Sequence, residues 1–246
     1  MICVSIVEAS PAACLRALKG LDFAEIRIDK IRGVEGDDIR RIFSQPVRLI
    51  ATCRPGGICD RKKFGLLAAA VRAGAAYVDI EHDWTPSLKA ALMAAAQAAS
   101  CRILISFHDF EKTPPAPALE RIIRNGFKAG ADVVKIACRV RASSDNARLL
   151  GLLDGRRPLV VVGLGPEGRI TRIAAPLIGG LFTYAALRPG KEAADGQIDR
   201  AILQRILHRL TATKAPGLPG GISAVLARGF RPRVSGEPKA RPLTNV

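Results

Sequence analysis

The sequence predicts an α/β protein, a single (β/α)8 barrel with a flexible C-terminal tail. Short apolar runs rich in β-branched residues alternate with Ala- and Leu-rich segments of helical period, the pattern of repeated βα units around a parallel sheet. Eight such runs can be counted, and eight parallel strands close a TIM barrel. The length of 246 residues suits one such domain and is enough to bury a large apolar core without disulfides or metals.

In chain order the strand candidates are 2–7 (ICVSIV), 24–29 (AEIRID), 47–53 (VRLIATC), 76–81 (AYVDIE), 102–107 (RILISF), 132–138 (DVVKIAC), 158–163 (PLVVVG) and 181–187 (LFTYAAL). Helical period falls on 11–19, 61–73, 86–99, 117–129, 144–153 and 169–178, and a last helix covers about 197–210. Thr85-Pro86 and Ser143 supply start signals for two of them. The barrel domain is therefore expected over 1–210. Residues 211–246 contain five Pro, five Gly, six basic residues and one acidic residue, a composition read as a flexible tail.

Composition narrows the function. An apolar share of 48% argues against disorder, and an aromatic share of 4% argues against an aromatic nucleic-acid platform. The net charge of +16 is scattered along the chain rather than gathered into a patch, so no nucleic-acid partner is expected. A basic surface can still draw in an anionic substrate. Six cysteines without a C-x-x-C pair or a His at metal spacing read as reduced, mostly buried thiols. The opening MICVSIVEAS has no basic leader and an early acidic residue, so neither a signal peptide nor a membrane span is expected, and the expected location is the cytoplasm.

Active sites of such barrels lie at the C-terminal ends of the strands, and period-two alternation indicates which residues share a face. Glu25, Arg27 and Asp29 share one on strand two, as do Asp79 and Glu81 on strand four. Strand five ends in Ser106-Phe-His108-Asp109-Phe110, and strand six carries Lys135 inside DVVKIAC. Lysine is seldom buried without a role. In a desolvated barrel mouth its pKa would fall, making it an amine able to condense with a ketone. His108, one βα unit earlier, suits proton transfer near neutrality. His82 is expected outside this inward register.

Gly163-Leu-Gly165-Pro-Glu-Gly168 matches a dinucleotide fingerprint literally, but it follows the seventh strand, contains Pro166, and precedes a strand without a terminal acid. It reads instead as an anion-receiving loop, with Arg172 as the carboxylate partner.

Taken in order, Glu25-x-Arg27-x-Asp29, Thr52-x-Arg54, Tyr77 to Glu81, Ser106 to Phe110, Val133 to Ala137, Gly165 to Arg172 and Gly196 to Ile198 resemble the motifs of type I 3-dehydroquinate dehydratases over residues 25–198. The resemblance implies conversion of 3-dehydroquinate to 3-dehydroshikimate and water, the third step of the shikimate pathway, with no cofactor and no metal. It implies that Lys135 forms a Schiff base with the substrate ketone and that His108 moves the protons of a syn elimination, oriented by Glu81. Glu25, Arg27 and Arg54 would bind ring hydroxyls, Arg172 and Gln197 the carboxylate, and Ser5 would line the same pocket. Where the family usually reads S-A-P-G-Q, this chain has Ala193-Ala194-Asp195-Gly196-Gln197. Another Schiff-base barrel lyase, such as an aldolase, and a barrel turned binding protein are the alternatives. A homodimer is left open.

Overall fold

The computed structural model describes residues 1–212, so the expected tail lies almost wholly outside the described residues. Eight strands are present: β1 (Ile2–Ile6), β2 (Phe23–Arg27), β3 (Arg48–Thr52), β4 (Tyr77–Glu81), β5 (Arg102–Asp109), β6 (Val133–Arg139), β7 (Leu159–Leu164) and β8 (Thr183–Ala186). The helices between and after them are α1 (Pro11–Ala17), α2 (Gly36–Phe43), α3 (Asp60–Arg72), α4 (Pro86–Ala98), α5 (Ala116–Lys128), α6 (Ser143–Leu150), α7 (Arg169–Ala174) and α8 (Arg200–Ala212). All paired strands are parallel, in the order β7-β6-β5-β4-β3-β2-β1-β8. The Leu181 N–H, just before β8, donates to the Leu159 carbonyl of β7 at 2.8 Å and draws the sheet toward closure. The expected (β/α)8 barrel is the fold observed.

Alternation along each strand splits the apolar residues into two shells. Val78 and Ile80 on β4, Ile103 and Ile105 on β5, and Val134, Ile136 and Cys138 on β6 face outward into the clusters that bury the helices. Tyr77, Leu104 and Val133 belong to the opposite row, inside the barrel. The lower interior is closed by aromatic rings. Phe182 meets Phe23 edge-on at 5.1 Å, Tyr77 at 6.3 Å and Tyr184 at 5.4 Å between centroids. Arg48 and Arg102 stack over Phe23 and Tyr77 at 5.2 and 5.9 Å. One step further along the same inward rows the residues become Ser5, Glu25, Thr52, Asp79, Ser106 and Lys135, all buried.

Some elements differ from expectation. Helix α2 has no counterpart in the sequence reading because GDDIRRIF offers only three apolar residues, yet Ile39, Ile42 and Phe43 fall on one face and are buried. Strand β2 ends at Arg27, and Ile28–Lys30 form a 3-10 turn that bends Asp29 back on Arg27. Strand β5 runs on to Asp109, so His108 is held by the sheet itself. The expected helix at 169–178 stops at Ala174 and continues as a 3-10 turn over Ala175–Leu177, where Pro176 has no N–H to give. Helix α4 starts at Pro86 after Thr85, as the sequence indicates. The six cysteines are free, with only Cys59 exposed. Among the described residues no helix is long and apolar enough to cross a membrane.

Candidate active site

The C-terminal mouth of the barrel holds a cavity of about 620 Å³. Glu25, Arg27, Arg54, Glu81, His108, Lys135, Arg172 and Gln197 line it, which places all but one of the sequence-derived site residues on its wall. Ser5 is the exception. It is fully buried and donates to Glu25 Oε2 at 2.8 Å, so it stands behind the wall and fixes a carboxylate that reaches it. Thr52 donates to the other Glu25 oxygen at 2.9 Å.

Parallel register decides which groups meet. Thr52 lies beside Asp79, Glu81 beside Ser106, and Ser106 beside Lys135 across successive strands. The Lys135 ammonium donates to Asp79 Oδ2 at 2.7 Å, with its Nζ 5.0 Å from the centroid of the Tyr184 ring. Arg54 forks onto Asp79 with bonds of 2.6 and 3.1 Å and also pairs with Glu81 Oε1. Ser106 Oγ donates to Asp79 at 2.5 Å. Burial would raise the Asp79 pKa, but Arg54 and Lys135 outweigh it and hold the carboxyl far below its usual range. The same two carboxylates push the Arg54 guanidinium up against its own desolvation.

His108 Nδ1 lies 3.1 Å from Glu81 Oε2. Glu81 opposes burial through its bond to His108 and its pairing with Arg54, which bring its pKa down to about 2, so it is ionised and can only accept. Nδ1 therefore carries the proton, leaving the Nε2 lone pair for the cavity. Burial first, then the Arg54 charge, lowers the His108 pKa from its usual 6.5 despite Glu81, so the ring is neutral at pH 7. The Phe110 ring stacks on His108 at 5.8 Å with planes 9° apart. Contrary to expectation, His82 also reaches the cavity wall, with its ring edge-on to Phe107 at 6.1 Å.

On the far side, Gly165 has φ 92°, where L side chains are strained, and turns the chain after β7. Arg172 on α7 is fully buried, its pKa lowered to about 10 by desolvation, and its Nε has no hydrogen-bond partner among the described residues. Its Nη2 donates to the Asp195 carbonyl at 3.3 Å. A buried guanidinium with spare donors is a receptor for an anion. Further bonds hold the 193–197 loop over the site: Arg27 to the Ala193 carbonyl, the Ala193 N–H to Gln197 Oε1 at 2.7 Å, and Gln197 Nε2 to Ser5 at 3.1 Å.

Sequence reasoning put Asp79 on the inward face but gave it no part in the site. Tyr184, Ser106 and Arg139 were also passed over. An Asp two residues before Glu81 in one inward row was the available signal for the first.

A buried lysine amine, a neutral histidine and an anion receptor converging at the mouth of a (β/α)8 barrel define an enzyme site. Comparison with known proteins gives the particular family. The model of type I 3-dehydroquinase matches residues 2–214. A 3-dehydroquinate dehydratase of Desulfotalea psychrophila is 31% identical over 221 residues, covering 85% of this chain and 97% of that one. The crystal structure of 3-dehydroquinate dehydratase from Aquifex aeolicus is 27% identical, with TM-score 0.72 over 85% of this chain and 98% of that one. The one from Geobacillus kaustophilus reaches TM-score 0.78 at 23% identity, over 87% of this chain and 92% of that one, a likeness of fold. The chain belongs to the type I 3-dehydroquinase family and is an enzyme of the hydro-lyase class.

Proposed function

We propose that this enzyme dehydrates 3-dehydroquinate to 3-dehydroshikimate through a Schiff base on Lys135, with His108 as the acid and base. The observation that carries this is the Lys135 amine fixed at 2.7 Å from Asp79 on the inward row of β6, while His108 and Glu81 stand on the two preceding strands.

The proton that Lys135 shares with Asp79 must leave before the nitrogen attacks. Neutral His108 Nε2 is the acceptor in the site. The Nζ lone pair then adds to the C3 carbonyl, and His108 returns its proton to the carbinolamine hydroxyl, which leaves as water to give an iminium at C3 and a neutral His108. His108 removes the C2 proton, and the C–H electrons enter the C2–C3 bond to give an enamine. The enamine expels the C1 hydroxyl, which takes the proton held by His108 and departs as water. Water then hydrolyses the conjugated iminium and frees Lys135. One histidine serves both half-steps because both groups leave from one face, a syn elimination.

Glu81 keeps His108 oriented, and the Arg54 charge favours its neutral form. Glu25, locked by Ser5 and Thr52, offers fixed acceptors to ring hydroxyls, while Arg27 and Arg54 supply donors. Arg172 and Gln197 receive the carboxylate. Ser5 acts through Glu25 and Gln197 rather than on the substrate. A direct test is incubation of the purified chain with 3-dehydroquinate, followed by ultraviolet absorbance. Growth of the conjugated enone band is expected, and its absence with folded protein would rule the reading out.

A further inference from the structure

The cation on the last inward position of β6 has no part in the chemistry above. Arg139 continues the row of Lys135 and Ala137 and lines the cavity. Thr113 donates to its carbonyl at 2.7 Å, and its guanidinium lies flat against Gly165, where a Cβ would come within 3.1 Å of Cζ. Its Nη1 donates to Asp195 Oδ2 at 2.6 Å. Asp195 thus sits between two guanidinium groups: Arg139 holds its side chain and Arg172 its backbone carbonyl.

The backbone of this loop does not depend on the Asp195 side chain. The Gly165 N–H donates to the Asp195 carbonyl at 3.3 Å, a Cβ on Gly196 would run into the Gly165 carbonyl, and Gln197 and Arg27 secure Ala193. The ion pair itself is open to water, with side chains 37% and 56% exposed. Solvent screens a pair of that kind, so an incoming carboxylate can displace Asp195 at little cost. Arg169 adds a third cation near Arg172, leaving this corner with more positive than negative charge.

We propose that Arg139 is a second receptor for the substrate carboxylate, and that Asp195 is an exchangeable partner occupying it in the free enzyme. This rests on the dehydratase reading, which places the carboxylate at Arg172. The substrate carboxylate bridges the two guanidinium groups once the Asp195 side chain swings out to water.

The test is steady-state kinetics of the full chain, Arg139→Met and Asp195→Asn with 3-dehydroquinate. Arg139→Met should raise KM about tenfold with kcat within about threefold, the signature of lost uniform binding. Asp195→Asn, by freeing Arg139, should lower KM about two- to fivefold. Shifts in opposite directions support the proposal. Any other pattern overturns it, including a rise in both variants, which a simple loop brace would give. An inactive parent chain would instead sink the dehydratase reading, so the two failures are distinct.

Discussion

Two layers of the barrel interior, successive inward positions two residues apart on the same strands, carry opposite chemistries. Below are Phe23, Tyr77 and Phe182, a plug of packed rings that Arg48 and Arg102 touch by stacking on Phe23 and Tyr77. Above are Asp79, Glu81 and Lys135, tied through Arg54 into one charged array, with Glu25 beside them on Ser5 and Thr52. The plug excludes water, and burial is what makes the array above it potent, because Coulomb interactions strengthen as the dielectric falls. The array costs desolvation and needs complete pairing, which Arg54 supplies by serving Asp79, Glu81 and Ser106 together. The lower layer should therefore answer to stability and the upper to turnover.

That division can be broken experimentally. The largest effect is expected for His108→Ala, which should lower kcat by about 10²–10⁴-fold while slow imine formation continues. Stopped turnover with unchanged unfolding midpoints would uphold the division, and full activity would remove His108 from the mechanism. Phe182→Ala opens a void in the plug and should cost about 3–5 kcal/mol in denaturant unfolding. The variant should keep the parent KM wherever it is folded; a shift in KM would mean that the two layers are not separable. The smallest effect is in pH. His108 acts as the neutral base and its pKa is lowered by burial and Arg54, so kcat/KM should rise with pH along an acid limb centred below 6.5. A limb above that value would mean that Glu81 outweighs them.

Much of this division was legible in the sequence. Lys135 stood out because a charge interrupts an otherwise apolar strand, and alternation put Asp79 with Glu81 and His108 with Ser106. Alternation gives the row but not the neighbour across the sheet, which depends on barrel register. The Lys135–Asp79 pair and the three-way role of Arg54 were hidden for that reason. The Arg139–Asp195 pair joins residues 56 apart through a loop whose course no local pattern fixes. Helix α2 went unseen because three buried residues suffice when the sheet beneath supplies the rest.

The central claim is that Lys135, and no other amine, carries the substrate. Borohydride added during turnover of 3-dehydroquinate should reduce the iminium and inactivate the enzyme, and peptide mass spectrometry should find the adduct on the peptide containing Lys135. An adduct on a different lysine, or turnover undiminished by borohydride with no adduct, would contradict the account.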